Sequence, residues 1–530
     1  MASRTPSADA GVRTSGITQS IWLDGMAPLG FSPLENDIHV DVAIIGGGIL
    51  GITAAYCLSQ EGKKVAVLED GHLGSGETGR TTGHLTYALD DRYFYIQKHH
   101  GTQKARLAWK SHRAAIEFIE SAIKKHGIRC DFERVDGYVV KGPKDGAKIL
   151  EQELEALHSI GCDEVELVDE SPIRIGPGPA LRFPNQAQFH VLKYLQGLAR
   201  AIGEKKGMIF TQTHVSELLE GRVKTSAGHT VFAKETVIAT NAPIKDTSLS
   251  LKQGAYRTYA IAAKIRKGSV PKALCYDTNE EGDLVHAYHY VRVHDDGRHE
   301  WVIVGGEDHK VGQINDGKKR FARLEQWARK RFPISSVDYR WSGQVLEPVD
   351  GVAFIGKYPG KENVYVGSGD SGNGLTHATI AGMLITDLIL GRKNPWQELY
   401  SPSRIAKDIR AFLRENVNVA KVYVQGKMGQ SAHHLDMGEG MVIDRGKEKI
   451  AVFKDDKGKV NEYTAVCPHL KCIVKWNSLE RSFDCPCHGS RFGCRGELLM
   501  GPANRGLDPI EPEKEKGYAG ESEREKAESS

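Results

Sequence analysis

The stretch His39-Val-Asp-Val-Ala-Ile-Ile45, followed by Gly46-Gly47-Gly48-Ile49-Leu50-Gly51, decides the fold. The first seven residues are typical of a buried parallel strand, and the glycines have the G-x-G-x-x-G spacing. A helical run over residues 52–61 and a second strand over 64–68, which ends at Glu69, complete a strand–turn–helix–strand unit. Such glycines let a pyrophosphate approach the helix N-terminus, and the acid accepts hydrogen bonds from a ribose. The sequence therefore predicts a dinucleotide site that contains Gly46, Gly48, Ile49, Leu50, Gly51 and Glu69.

A second glycine- and hydroxyl-rich turn, Gly79-Arg80-Thr81-Thr82-Gly83-His84, follows the first unit. It resembles the Gly-Arg-Thr-Thr turn of glycine oxidase and its relatives in the D-amino-acid-oxidase-like flavoprotein family. In that family the hydroxyls lie on the FAD phosphates, and the next residues run under the flavin ring. The resemblance implies FAD as the cofactor, with Arg80, Thr81 and Thr82 among its contacts. His84 would lie at the flavin ring, either as a packed side chain or as the point of a covalent link.

The same resemblance assigns two later segments. The strand that ends at Val215 is expected to hold the adenine through its backbone. Residues 367–372 repeat the G-x-G-x-x-G spacing but lack a second strand that ends in an acid, so we do not expect a second dinucleotide site there. In the family, the corresponding turn and its helix face the flavin, and the helix dipole stabilises negative charge on the reduced ring. This implies contacts from Gly369, Gly372, Gly374 and Leu375.

Residues 255–310 alternate between apolar and polar side chains, which predicts an antiparallel sheet. In the resembled family this sheet is the substrate domain. Arginine binds carboxylates in a bidentate manner, and tyrosines can line a pocket. The catalytic residues themselves stay unassigned, and ordinary packing in the sheet is the alternative role for every candidate. The pocket candidates are Tyr256, Arg257, Tyr288 and Arg292.

A pair of short motifs near the C-terminus, Cys467-Pro-His469 and Cys485-Pro-Cys487-His488-Gly489-Ser490, indicates a metal centre. Two Cys and two His are the ligand set of a Rieske [2Fe–2S] cluster, in which thiolates hold one iron and imidazoles the other. Zinc is the alternative, because it binds the same ligand types. The order of the motifs and the Gly489-Ser490 pair favour the cluster. Residues 431–511 resemble Rieske proteins, which implies the ligands Cys467, His469, Cys485 and His488.

Further features of the C-terminal segment follow from this resemblance. In Rieske proteins of respiratory complexes a disulfide ties the two cluster loops, which implies a Cys472–Cys487 bridge; two free thiols are the alternative. Ser490 matches the position whose hydroxyl donates to a cluster sulfur. Phe492 stands where the family has a Tyr that donates a second hydrogen bond. We therefore expect a lower reduction potential than in a Tyr-bearing relative.

Composition narrows the functional class. The chain has 530 residues and a net charge of +3, which gives no case for nucleic-acid binding. No apolar run approaches the roughly 18–20 residues that span a bilayer. The first twenty residues lack an apolar signal core and read as a disordered leader, with a short transit peptide as the alternative. Scattered single cysteines suit a reducing compartment, so we expect a cytoplasmic protein.

The sequence predicts an α/β FAD-binding Rossmann-type domain with an interleaved antiparallel-sheet substrate domain, plus a C-terminal all-β Rieske domain. The expected boundaries are a leader over 1–20, a D-amino-acid-oxidase-like domain over 21–400 with its substrate sheet roughly at 130–200 and 250–345, a linker over 401–430, a Rieske domain over 431–512, and a charged disordered tail over 513–530.

The combination implies an FAD-dependent oxidoreductase. By resemblance, it would oxidise a C–N bond of an amine or amino-acid-like substrate by hydride transfer to FAD. Single electrons would then pass to the cluster and to a one-electron acceptor, either a protein or a quinone-like molecule. Two alternatives stay open: a reductase component that serves a separate oxygenase, and a redox sensor. The reductase needs a hydride donor such as NAD(P)H, and the sequence contains no evident NAD domain.

Overall fold

The computed structural model describes residues 15–27, 29–142, 148–244, 248–278, 289–405, 417–419 and 435–510. Tyr288, the predicted tail and most of the predicted linker lie outside these residues. None of the described helices combines the length and apolarity needed to cross a membrane.

The strands, in chain order, are β1 (Ile38–Ile45), β2 (Val65–Leu68), β3 (His84–Leu85), β4 (Glu133–Val140), β5 (Glu166–Val168), β6 (Ala180–Gln188), β7 (Met208–Phe210), β8 (Val215–Leu219), β9 (Arg222–Thr225), β10 (Thr230–Ile238), β11 (Gln253–Ile265), β12 (Leu274–Asp277), β13 (His289–Asp295), β14 (Glu300–Lys310), β15 (Ile334–Pro348), β16 (Phe354–Lys357), β17 (Val364–Ser368), β18 (Gly440–Arg445), β19 (Glu448–Lys454), β20 (Val460–Thr464), β21 (Lys475–Asn477), β22 (Ser482–Asp484), β23 (Arg491–Gly493) and β24 (Leu498–Met500). The helices are α1 (Ile49–Gln60), α2 (Tyr93–His100), α3 (Thr102–His126), α4 (Lys148–Ser159), α5 (Val191–Glu204), α6 (Gly317–Arg329), α7 (Gly374–Ile389) and α8 (Gln397–Tyr400).

The first sheet is built around β1. Its strand order is β16-β17-β10-β1-β2-β7, with β9 paired to β10 and β8 to β9. The pairs that β1 makes with β2 and β10 are parallel. Successive residues of β1 enter different cores, Val42 and Ile44 on one face and Ala43 and Ile45 on the other. Both faces are therefore buried, which explains why this strand has an almost continuous apolar sequence.

Helices α1 and α7 lie against each other on the first sheet. Gly382 of α7 makes this close approach possible, because a Cβ there would lie 2.6 Å from Thr53 Cγ2 of α1. Helix α1 begins directly at Ile49, with Gly48 as its N-cap, three residues before the predicted helical run. The N-cap Gly48 has no side chain to cap the first turn, so no N-cap side chain takes the backbone N–H groups at the end of β1.

The second sheet has the order β15-β11-β14-β13-β12-β4-β6-β3, with β5 paired to β6. Most pairs are antiparallel, and β12 with β4 is the parallel exception. The alternation predicted in the sequence is visible in β11: Ala260 and Ala262 enter the main core, whereas Ile261 and Ala263 enter a second core under α6. Both sheets belong to what we call the N-terminal module, residues 21–400.

The C-terminal module, residues 435–510, contains two small antiparallel sheets, β18-β19-β20 and β21-β22-β23-β24. Its core contains Phe453, Phe483 and Phe492 together with four cysteines of the two cluster loops. The apolar interior is small, and the loops between β20 and β23 supply much of it. The all-β character predicted from residue 431 onward is confirmed over the described part of this module.

The predicted leader is wrong for its last six residues, because residues 15–20 lie between the two modules. Ser15 and Ser20 are fully buried. The Ser20 hydroxyl donates to the Gly79 carbonyl at 2.5 Å, and the Arg491 guanidinium donates to the Ser15 carbonyl at 2.9 Å. The composition of this polar, Ser/Thr-rich segment predicts disorder. In the structure its backbone carbonyls accept hydrogen bonds from buried side chains instead.

A buried ion pair joins the two modules across their contact, which we call the domain seam. Arg80 Nη1 lies 3.3 Å from Glu480 Oε1, and both side chains are almost fully buried. Arg80 also donates to Ser342 O at 2.6 Å and to Gly16 O at 2.8 Å, and Glu480 accepts from the Thr18 N–H at 3.0 Å. Each charge is thus surrounded by further hydrogen bonds, which offset the desolvation of a buried pair.

We expect Glu480→Gln to destabilise the protein by about 3–5 kcal/mol, because it leaves the buried Arg80 charge without a counter-ion. The measurement is the free energy of unfolding in urea. Burial opposes ionisation of Glu480, but Arg80, Arg257 and Arg491 overcome it and lower the carboxyl pKa to about 2 from 4.5. The difference from the native protein is therefore complete above about pH 4.5 and shrinks as the pH falls towards 2.

Glu170→Gln is the matched control, because Glu170 forms an exposed i,i+4 pair with Arg174. Its effect should stay within about 0.5 kcal/mol. Equal effects of the two substitutions would contradict the stabilising role of the seam.

Candidate functional site

A long cavity follows the carboxyl ends of β1, β2, β10 and β17. Its volume, counted as space open to the centre of a water molecule, is about 220 Å³. Of the fourteen predicted cofactor residues, ten line it: Gly46, Gly48, Ile49, Leu50, Glu69, Thr81, Val215, Gly369, Gly374 and Leu375. Open α/β sheets bind ligands at this edge.

The glycine turn after β1 is shaped for close approach of a ligand. Gly46 has φ +109°, and a Cβ there would lie 2.5 Å from the Ala239 carbonyl oxygen. Helix α1 begins three residues later. Its Ile49 N–H donates to the Thr78 hydroxyl at 3.1 Å, and the N-cap Gly48 offers no side chain to the N–H groups that follow. Unsatisfied N–H groups and the positive end of a helix dipole form a phosphate site.

Glu69 occupies the end of β2, as the fingerprint requires. Its carboxylate accepts from the N–H groups of Gly47 at 2.6 Å and Gly71 at 2.8 Å, which fixes its orientation. Burial, together with the neighbouring Asp70 carboxyl, raises the pKa of Glu69 to about 8. Hydroxyl donors from a bound ribose would favour its ionised form.

Four predicted cofactor residues do not line the cavity. Arg80 points into the domain seam, where its guanidinium pairs with Glu480 and donates to backbone carbonyls. The Thr82 hydroxyl contacts His84 Nδ1 at 2.8 Å. Gly51 and Gly372 support the cavity from behind: a Cβ at the first would clash with the Gly46 carbonyl, and one at the second with the Asp90 carboxylate.

Two segments in the cavity wall were absent from the predicted site. The turn Ala239–Ala242 after β10 lines it, and the small-residue run that follows a buried strand was the available signal. The second segment, Leu498–Met500 with Gly501 and Ala503, belongs to the C-terminal module. No local sequence pattern predicts that contact, because it arises from docking of one module on the other.

The pocket candidates do not form one carboxylate clamp. Arg292 donates to the carbonyls of Gly83 at 2.8 Å and Phe189 at 3.2 Å, behind the second glycine turn. Arg257 lies on β11, two strands away, and donates to the Ser342 hydroxyl at 3.2 Å. Tyr256 is half-buried beside Lys310.

Side chains from β12 and β13 surround His84. The Tyr276 and Tyr290 rings lie 5.4 and 6.0 Å from its imidazole. Burial, with the charge of Arg292, lowers the pKa of His84 to about 3, so its ring is neutral at pH 7. The neutral imidazole and the two tyrosine rings therefore pack together beside the second glycine turn.

The four predicted metal ligands form two close pairs in the C-terminal module, one of thiols and one of imidazoles. The thiols of Cys467 and Cys485 lie within hydrogen-bond distance of each other. The His469 and His488 rings are 5.1 Å apart and nearly perpendicular. Among the described residues, neither buried ring nitrogen of His488 has a hydrogen-bond partner. Orphaned imidazole nitrogens and a close pair of thiols in the same two loops fit the ligand set of a [2Fe–2S] cluster.

A disulfide ties the two cluster loops, as predicted. Cys472 and Cys487 are bonded, with their Cα atoms 6.5 Å apart. The Cys485 sulfur lies within 4.8 Å of both bonded sulfurs, so the bridge packs directly against a ligand. The grouping of these three cysteines is therefore a disulfide beside one ligand and not a separate three-cysteine metal site.

Ser490 connects the cluster ligands to the long cavity. Its hydroxyl accepts from the Ala503 N–H at 3.0 Å and is hydrogen-bonded to the Cys467 thiol. Ala503 in turn lines the long cavity. Phe492 is fully buried beside this path and supplies no hydroxyl.

Comparison with known proteins assigns both modules. The family model of FAD dependent oxidoreductases matches residues 41–388. This chain belongs to that family. The model of the Rieske [2Fe-2S] domain matches residues 428–511. The protein is thus an FAD-dependent oxidoreductase fused to a Rieske domain, with FAD and a [2Fe–2S] cluster as its cofactors.

Some relatives match both modules together, and others match the N-terminal module alone. The Putative Rieske 2Fe-2S iron-sulfur protein YhfW of Bacillus subtilis (strain 168) is 30% identical over 504 residues, which cover 93% of this chain and 97% of the relative. The gamma-glutamylputrescine oxidoreductase of Escherichia coli (strain K12) is 27% identical over 380 residues, 68% of this chain and 86% of the relative. The crystal structure of glycine oxidase from Geobacillus kaustophilus has a TM-score of 0.57 at 19% identity, over 69% of this chain and 99% of that chain.

We expect Gly46→Ala to weaken FAD binding about tenfold or more, a loss of about 1.4 kcal/mol, because the new Cβ displaces the pyrophosphate turn. Quenching of flavin fluorescence measures the affinity. Gly62→Ala is the control: this glycine also has positive φ, +78°, but its Cβ would meet nothing within 4 Å. An unchanged FAD affinity in Gly46→Ala would rule out the assigned phosphate site.

Cys485→Ser should abolish the [2Fe–2S] cluster, whereas Cys494→Ser, at a free cysteine on the edge of the same core, should keep it. Iron and zinc analysis with EPR of the reduced protein provides the measurement. Two irons per chain in Cys485→Ser, or zinc in the native protein, would contradict the ligand set.

Proposed function

We propose that this protein oxidises a C–N bond of an amine or amino-acid-like substrate and delivers the electrons, one at a time, through its Rieske cluster to an external acceptor. The chain's contact between Ala503 and Ser490, which joins the FAD cavity to a cluster ligand, carries the proposal. Bound FAD supplies two-electron hydride chemistry, and the cluster supplies one-electron chemistry.

The substrate class rests on similarity. The name of the E. coli relative, a gamma-glutamylputrescine oxidoreductase, describes action on an amine. We propose the same class of donor here. Loss of a hydride from carbon and a proton from nitrogen gives an imine, which water hydrolyses to a carbonyl compound and an amine.

The residues around the second glycine turn would shape the substrate site. We propose that Arg292 holds this turn in place through the carbonyls of Gly83 and Phe189. Neutral His84, Tyr276 and Tyr290 would form the wall that excludes water. Exclusion of water strengthens electrostatic interactions inside such a site. An amine substrate in its neutral form needs no strong base for this oxidation.

The proposed route of electrons from FAD to the cluster favours a dehydrogenase over an oxidase. The C-terminal module contributes Leu498–Met500 to the cavity wall, so the cofactor is covered on that side by cluster-bearing structure. We propose a protein or quinone-like one-electron acceptor. We also propose a cytoplasmic location, which the four free cysteines of the N-terminal module support.

Anaerobic mixing of the holoprotein with a panel of primary amines, amino acids and N-methyl amino acids tests the proposal. One class of amine should bleach the flavin absorbance, and the EPR signal of the reduced cluster should follow. Cys485→Ser is the matched variant: it should keep flavin bleaching and lose the cluster signal. Bleaching by NADH and by no amine would instead identify a reductase component, and stoichiometric peroxide with an oxidised cluster would identify an oxidase.

A further inference from the structure

A second cavity lies in the domain seam, apart from the FAD cavity. Its volume, again counted as space open to water centres, is about 80 Å³. The N-terminal module contributes Arg257, His309 and Asn315 to its walls, and the C-terminal module contributes Lys475 and Asp484. A water molecule needs roughly 10–15 Å³ on this measure, so the cavity holds a group of several heavy atoms. We call it the seam cavity.

Arg257 is the unusual wall residue. Its side chain belongs to the largest fully buried ones, with 1% exposure. Nη1 donates to the Ser342 hydroxyl, whereas Nε and Nη2 have no hydrogen-bond partner among the described residues. A buried guanidinium with two unsatisfied donors is costly unless a further group binds it.

The two free donors are arranged for a particular ligand shape. In a guanidinium, Nε–H and Nη2–H point in the same direction along one edge. This edge matches the two oxygens of a carboxylate, or two oxygens of a larger oxyanion, in a bidentate pair. The remaining donor, Nη1, is already held by Ser342 and fixes the plane of the group.

The neighbouring carboxylates are bound to other partners. Asp484 accepts from Arg491 Nε at 3.1 Å and from Asn477 Nδ2 at 2.8 Å. Glu480 pairs with Arg80. Glu77, the third acid near Arg257, accepts from the Ser15 hydroxyl at 2.9 Å and the Gln344 N–H at 2.7 Å. Each favours the charge of Arg257 at a distance, but none satisfies its free edge.

Two further wall residues, His309 and Lys475, do not compete for this edge. His309 Nδ1 lies 2.9 Å from the Lys310 carbonyl and Nε2 lies 2.9 Å from the Tyr259 hydroxyl, so both ring nitrogens are engaged. Burial lowers the pKa of His309 to about 4, which keeps the ring neutral. Lys475 is exposed at the cavity and adds positive charge there.

We propose that the seam cavity binds a small carboxylate through the free edge of Arg257. The ligand would touch walls from both modules, so its binding favours the docked arrangement of the C-terminal module. The site is separate from the FAD cavity, since the two cavities share no wall residue, and the inference is independent of the substrate proposed above.

Isothermal titration calorimetry of the holoprotein with sodium acetate tests this inference, with sodium chloride at equal ionic strength as the reference. We expect saturable binding at one site per chain. Arg257→Gln should weaken acetate binding at least tenfold, because Gln offers no bidentate cationic edge.

Ile314 provides a second test that leaves the buried network intact, since it lines the cavity and is 47% exposed. Ile314→Glu should weaken acetate binding several-fold by charge repulsion. Ile314→Gln should not, because Gln has the shape of Glu without its charge. Absence of saturable acetate binding in the native protein, or equal binding in Ile314→Glu and Ile314→Gln, would overturn the inference. Binding of inorganic phosphate in place of acetate would overturn the carboxylate assignment.

Discussion

The buried pair of Arg80 and Glu480 is the interaction on which the arrangement of the two modules depends. Two charges withdrawn from water are stable only where their hydrogen-bonding capacity is met. Here Gly16 and Thr18, from residues 15–20, and Ser342, from β15, supply the hydrogen-bond partners. The pair is therefore satisfied only when the C-terminal module, the N-terminal segment and the second sheet are assembled together.

Docking of the C-terminal module has a chemical consequence. It brings Leu498–Met500, Gly501 and Ala503 into the wall of the FAD cavity. Ser490 then spans the short step from Ala503 to Cys467. The seam keeps the FAD cavity and the cluster ligands in one unit, as the proposed electron transfer between the two cofactors requires. The same docking leaves Arg257 buried with a free edge, so the seam also creates a place for an anion.

Local patterns in the sequence predicted the parts that depend on neighbouring residues. The glycine turn after β1, the acid at the end of β2 and the disulfide between Cys472 and Cys487 occur as expected. The two thiols and the two imidazoles of the predicted ligand set lie in close pairs in the C-terminal module. These features follow from strand periodicity, backbone geometry and short motifs, all of which are visible within a few tens of residues.

Features created by docking were not predictable in this way. Arg80 belongs to a turn that resembles a phosphate site, yet an acid 400 residues later takes its guanidinium. Residues 15–20 are polar by composition and buried in fact. Arg257 and Arg292 both occur in the alternating pattern of residues 255–310, but they lie on strands that β14 separates. In each case the partner comes from a distant segment, and no local pattern encodes it.

The most direct test of one electron-transfer unit is the kinetics of cluster reduction after flash photoreduction of the bound flavin under anaerobic conditions. The cluster should be reduced in a first-order process whose rate constant does not change with protein concentration. A rate that rises in proportion to protein concentration, or a flavin that stays reduced while the cluster stays oxidised, would contradict the account.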